Sequence, residues 1–186
     1  EGRPVSVGSF AANLRSFESI RDFIASATIT TLVDLPFIIL FLVALAWIDF
    51  ESTLLPDALT QPLLWAGLLV NLFDAYASVQ MAVAGAAAGY VFLWVIFHVF
   101  RLLTGREGMG YGDFKLLAAL GAWFGLEALP TLLLSASLLG VLIGGALTLS
   151  GRASRGQPLP FGPYLALAGV VTLLVGGEQG LGQFLQ

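Results

Sequence analysis

Cysteine is absent from the 186 residues, and histidine occurs once, at His98. Without thiols there can be no disulfide and no thiolate metal site. One histidine alone leaves too few soft ligands for a zinc hydrolase. Charge is also scarce: 11% of residues are Asp, Glu, Lys or Arg, where a soluble domain carries about 25%. The 8 basic residues are scattered rather than clustered, which argues against a nucleic-acid surface. The net charge of −4 says little, because the charges are confined to loops. No cleavable signal pattern is visible, since the first apolar run comes late and lacks a small-residue cleavage site. The chain starts on Glu1 rather than Met, as a piece of a longer protein would.

What fills the space is oil. The chain is 58% hydrophobic with a mean hydropathy of +0.90, the composition of an integral membrane protein. Apolar runs bounded by charge, Gly and Pro predict about six membrane segments, near 31–48, 60–73, 79–100, 113–126, 128–149 and 160–176. An open sheet edge does not survive in lipid, so the fold class expected is all-α, a polytopic helix bundle. The run 113–126 is too short to span comfortably and is expected to be shielded by neighbours. Gly85 and Gly89, Gly121 and Gly125, and Gly140 and Gly144 sit at helical i, i+4 spacing. Such pairs let helix backbones approach closely, within the chain or in a homodimer.

Orientation follows from Arg101, Arg106, Arg152 and Arg155, which fall in loops on the side that holds Asp49. The opposite loops hold Asp74, Glu127 and Glu178 and no Lys or Arg. Basic loops stay in the cytoplasm, so Asp49 and Asp113 are both expected at the cytoplasmic face. Residues 1–25 contain Arg3, Arg15 and Arg21 and conflict with this scheme if 31–48 is a full span.

Carboxylates at a membrane edge are costly and are functional candidates for that reason. Asp49 closes an apolar run in Trp47-Ile48-Asp49-Phe50-Glu51, and Asp113 follows Gly110-Tyr111-Gly112. Glycine reaches backbone angles closed to other residues, and Gly110 and Gly112 also leave room for a substrate backbone. An ordinary reading exists for each carboxylate: Asp113 as a helix cap, Asp49 as an interfacial charge. Asp57, after Pro56, reads as a helix cap. Lys115 is two residues from Asp113 and does not share its helix face; lipid phosphate, a bias on the site charge and snorkelling all remain open. His98, inside an apolar helix without a nucleophile motif, reads as a hydrogen-bonded helix histidine rather than part of a triad. Pro160-Phe161-Gly162-Pro163 breaks the entry to the last helix, near the aspartates.

From about Ala46 to Gly176 the chain resembles the membrane core of the type IV prepilin peptidases. The matching blocks are I-D-F-E-S-T-L-L-P-D-A-L-T-Q-P-L-L-W-A-G-L-L at 48–69, A-G-A-A-A-G-Y-V-F-L-W at 84–94, L-L-T-G-R-E-G-M-G-Y-G-D-F-K-L-L-A-A-L-G-A-W at 102–123 and P-F-G-P-Y-L-A-L-A-G at 160–169. The resemblance implies an aspartyl peptidase of the bacterial inner membrane that cuts the basic leader from prepilins and from type II secretion pseudopilins. It puts the two catalytic aspartates on Asp49 and Asp113; with no cysteine and one histidine in the sequence, no metal or other cofactor is expected. Glu51 and Glu107 are candidates to receive the basic leader. Family members usually begin with a membrane helix and a paired-cysteine segment, and many methylate the new N-terminus. Neither element is in this sequence, so methyl transfer is not expected.

Residues 1–44 resemble instead part of the transmembrane domain of type I secretion ABC exporters, through G-R-P-V-S-V-G-S-F-A-A-N-L-R-S-F-E-S-I-R-D-F and T-L-V-D-L-P-F. A fusion would explain the orientation conflict. The expected organisation is then an exporter-like segment 1–44, a peptidase core 45–176 and a tail 177–186. The rival reading is a catalytically inactive membrane segment or fusion; an ion or proton pathway using the same carboxylates is a weaker third.

Overall fold

A computed structural model describes residues 27–184, apart from 53, 107 and 151–159. The chain divides into two compact units, 1–36 and 37–186. Of the first, only residues 27–36 are described, and they are helical. Most of the exporter-like segment therefore lies outside the described residues, as do Arg152, Arg155 and Glu107.

The described residues form six α-helices and no strand. They are α1 (Ala27–Ser52), α2 (Asp57–Val70), α3 (Val79–Thr104), α4 (Tyr111–Phe124), α5 (Leu129–Leu149) and α6 (Gly162–Phe184). Short 3₁₀ turns follow α2 and precede α5. This is the all-α membrane bundle expected from the apolar runs. On length and composition alone, α3 and the stretch Leu126–Leu147 are long and apolar enough to cross a bilayer, each with a mean hydropathy of 1.9.

Helix α4 is the core. Asp113, Phe114 and then every residue from Leu116 to Trp123 are buried, so this 14-residue helix is enclosed nearly all round. Its neighbours turn one stripe each toward the interior. On α1 the stripe is Ile38, Leu42, Leu45 and Asp49, while Leu40, Val43, Trp47 and Phe50 face outward. On α3 it is Ala82, Gly85, Gly89, Leu93 and Phe97, and on α2 it is Thr60, Leu63 and Gly67.

The glycines of these stripes allow backbone-to-backbone approach. A Cβ on Gly85 would lie 2.5 Å from the Gly121 carbonyl oxygen, and one on Gly89 would lie 2.9 Å from that of Leu117. Gly140 packs against the Tyr164 ring. Gly85, Gly89, Gly121 and Gly140 thus pack within the chain.

Polar groups close the end of the bundle away from Asp113. Asn71 is fully buried. Its Nδ2 donates to the carbonyls of Ala122 and Trp123 at 2.8 Å each, and its Oδ1 accepts from the amides of Tyr76 and Ala77 at 3.0 Å each. Every donor and acceptor of the amide is used. Next to it, Trp123 Nε1 donates to Leu63 O at 2.8 Å, and the indole packs against Gly67. Gly105, with φ 68°, ends α3 in the left-handed conformation that glycine takes without penalty.

Candidate active site

Asp49 is the last member of the buried stripe on α1, one helical turn beyond Leu45. Periodicity therefore drives it inward along with its apolar predecessors. Asp113 is the third residue of α4, whose first turn is aimed inward by the aromatic cluster on its other side. Phe97 packs against Tyr111 and Phe114 at centroid distances of 4.9 and 5.5 Å, and Tyr90 meets Phe114 edge-on at 6.0 Å. Both aspartates are 4% exposed. Their carboxyl groups lie close enough for the charge of one to act on the other. The pair expected from positions 64 residues apart is therefore brought together.

A third helix reaches the pair. The Gly162 amide, at the start of α6, is directed at the Asp49 carboxyl. A Cβ on Gly162 would stand 2.5 Å from Asp49 Oδ2, so only glycine fits. Oδ2 is fully enclosed and has no hydrogen-bond partner of its own. The Asp113 carboxyl is faced by the amide of Gly110, three residues earlier, a short-range contact typical of an acid at that helix position.

Four expectations need correction. Gly110 does not use glycine's conformational freedom: its φ of −80° and ψ of 151° are open to any residue. A Cβ there would meet nothing nearer than 3.9 Å. Gly112 is required for space, but the room beside it holds Leu55, whose Cβ would lie 2.5 Å from an added methyl. Asp57 does not cap α2; Pro56 occupies the cap position with no side-chain hydrogen bond. Instead the Asp57 carboxylate pairs with Lys115 Nζ at 2.5 Å, an ion partner that none of the readings of Lys115 includes. The pair ties the first turn of α2 to that of α4.

Glu51 is exposed at the end of α1, and Glu107 lies outside the described residues. His98 stacks on Trp94 at 4.0 Å, with Nδ1 2.8 Å from the Trp94 carbonyl, the hydrogen-bonded helix histidine expected. Among the described residues no group of three or more His, Asp or Glu side chains could hold a metal ion. Sequence reasoning missed Leu55 and Asn71, and it placed Gly162 only loosely. Gly162 could have been singled out from the Phe161-Gly162-Pro163 turn; nothing local marks Leu55 as inward-facing except the proline that follows it.

The arrangement brings two enclosed carboxyl groups, two helix N-termini and an exposed acidic residue to one end of the bundle. Residues 36–145 match the type IV leader peptidase family. The chain is 58% identical over 135 residues to a prepilin leader peptidase/N-methyltransferase of Aeromonas hydrophila, covering 73% of this chain and 47% of that protein. A protein of the same name from Burkholderia pseudomallei (strain 1026b) is 56% identical over 135 residues, covering 73% and 44%. One from Pseudomonas aeruginosa is 51% identical over 137 residues, covering 74% and 47%. The chain spans about half the length of these curated relatives. The exporter-like reading of residues 1–44 gains no support from these matches. No solved structure gives a significant match.

Proposed function

This chain belongs to the type IV leader peptidase family, and on that footing we propose that it is a membrane aspartic endopeptidase that removes the basic leader from prepilins or pseudopilins. The observation that carries the reading is the burial of Asp49 and Asp113 within electrostatic reach of each other. The relatives' names supply the substrate class.

Two carboxyl groups held close do not both ionise, so the pair shares a proton and titrates as a unit. The ionised member takes a proton from water as the water oxygen attacks the scissile carbonyl carbon. The protonated member donates to the carbonyl oxygen as it gains charge. Collapse of the resulting gem-diol then returns one hydroxyl proton to the member that donated it and breaks the C–N bond, and the proton taken from water passes to the departing amine, so the pair again shares one proton. The unpartnered Asp49 Oδ2 suits the shared proton or the attacking water, since an enclosed polar atom without a partner is costly. Exposed Glu51, two residues from Asp49, suits the basic leader as a rim charge, weakened by salt. The arginines of the loops that follow α3 and α5 support a cytoplasmic site in the bacterial inner membrane.

The test is cleavage of a prepilin by the chain reconstituted in liposomes. The parent is expected to cut; Asp49→Asn and Asp113→Asn are each expected to lose about 10²- to 10⁴-fold in kcat, the worth of a positioned proton donor or acceptor. If both variants cut at the parental rate, the pair is not the catalytic group. A parent that never cuts returns the chain to the inactive reading.

A further inference from the structure

Residues 54–56 lead into α2. Pro56 is extended, with φ −71° and ψ 134°, and a proline also confines the residue before it to extended geometry. Successive side chains of an extended stretch point opposite ways. Leu54 accordingly faces out at 72% exposure, while Leu55 is buried at 9%.

Leu55 enters between two helix termini. Against α4 it is packed so tightly that a Cβ on Gly112 would lie 2.5 Å from Leu55 Cβ and 3.1 Å from Cδ1. Against α6 its Cδ1 would lie 3.2 Å from a Cβ on Gly162. One leucine therefore touches the residue before Asp113 and the residue whose amide faces Asp49. Both neighbours are glycine, so the fit is leucine against bare backbone with no side chain to yield. Two residues on, the Asp57–Lys115 pair holds the same junction from outside.

We propose that Leu55 is a positioning residue of the aspartate pair, a wedge against Gly112 and Gly162 that fixes how far the Asp49 carboxyl stands from that of Asp113. The proposal rests on the peptidase reading. Truncating the side chain beyond Cβ leaves a void beside Gly112 and Gly162 that the two termini close by moving, and they carry the carboxyl groups with them. A shift of about 1 Å in a reacting group can cost about 10²-fold in rate. Leu55 does not itself touch the reacting atoms, so substrate binding is left alone.

The experiment uses the full chain in liposomes with a prepilin substrate. Leu55→Ala is expected to lower kcat by about 10- to 100-fold and leave KM within about twofold, and Leu55→Met, which conserves volume, is expected to recover most of the rate. Should the alanine variant fail to fold, Leu55→Val carries the same comparison. A second readout needs no activity. Because the chain has no cysteine, Asp49→Cys and Asp113→Cys can be introduced together and bridged with a short bismaleimide. The bridging yield, read by mass spectrometry, is expected to change when Leu55→Ala is added. Unchanged kcat and unchanged bridging overturn the wedge. A rise in kcat also overturns it, because Leu55 would then be a plug in the substrate's path. If the parent does not cleave at all, the peptidase reading fails, and the bridging yield alone decides whether Leu55 sets the spacing.

Discussion

Gly85→Ala isolates the closest approach in the bundle. A Cβ at this position would meet only backbone: the Gly121 oxygen at 2.5 Å, the Gly125 carbonyl carbon at 2.7 Å and the Leu126 nitrogen at 2.8 Å. Ordinary contact begins near 3.4 Å, so α3 must withdraw from α4 by about 1 Å. No rotamer change can absorb the clash. Overpacking costs about 1–3 kcal/mol, and the upper end applies where both sides are main chain. Alanine returns about 0.5–1 kcal/mol through its better helix propensity. The net loss is about 2 kcal/mol, or about 4–8 °C in Tm for a chain of this size. Gly145→Ala is the matched control, for nothing lies within 4 Å of a Cβ there. It keeps the propensity gain without the clash and is expected to hold or raise Tm. Thermal unfolding in detergent, followed by circular dichroism, measures both. If Gly85→Ala melts at or above the parent, or together with Gly145→Ala, the close approach of α3 to α4 is wrong.

Asn71→Leu removes four hydrogen bonds and leaves the amides of Tyr76 and Ala77 without their acceptor. It is expected to destabilise by at least about 2 kcal/mol, seen as a lower Tm; a neutral result contradicts the structural role of the Asn71 amide. Lys115→Ala breaks an ion pair whose partner Asp57 is 61% exposed, so its cost is expected to stay below about 1 kcal/mol and to shrink in high salt. A large, salt-independent loss in Tm means that Lys115 does more than hold Asp57.

The helices were legible because lipid imposes long apolar runs, and the aspartates because a carboxylate in such a run has no cheap explanation. Boundaries slipped where side chains decide them. The apolar run predicts a second segment near 60–73, yet α2 runs 57–70, because Pro56 starts it and the chain turns at Asn71 into a 3₁₀ segment. The enclosure of α4 was anticipated from its shortness. Contacts between distant residues were not. Lys115 finds Asp57 across 58 positions, and Asn71 finds Ala122 across 51, without any periodic trace in either neighbourhood. Leu55 reads as one more leucine until its glycine neighbours are set beside it.

The enclosure of α4 also decides what the bilayer can do to Asp113. At 1.5 Å per residue a 14-residue helix is about 21 Å long, well short of a hydrocarbon core of about 30 Å. A helix that short, if it faced lipid, would force thinning around it. Wrapped by its neighbours, it is insulated: thicker or thinner membranes load the helices around it first, and α4 feels what α2 and α3, packed against it, transmit.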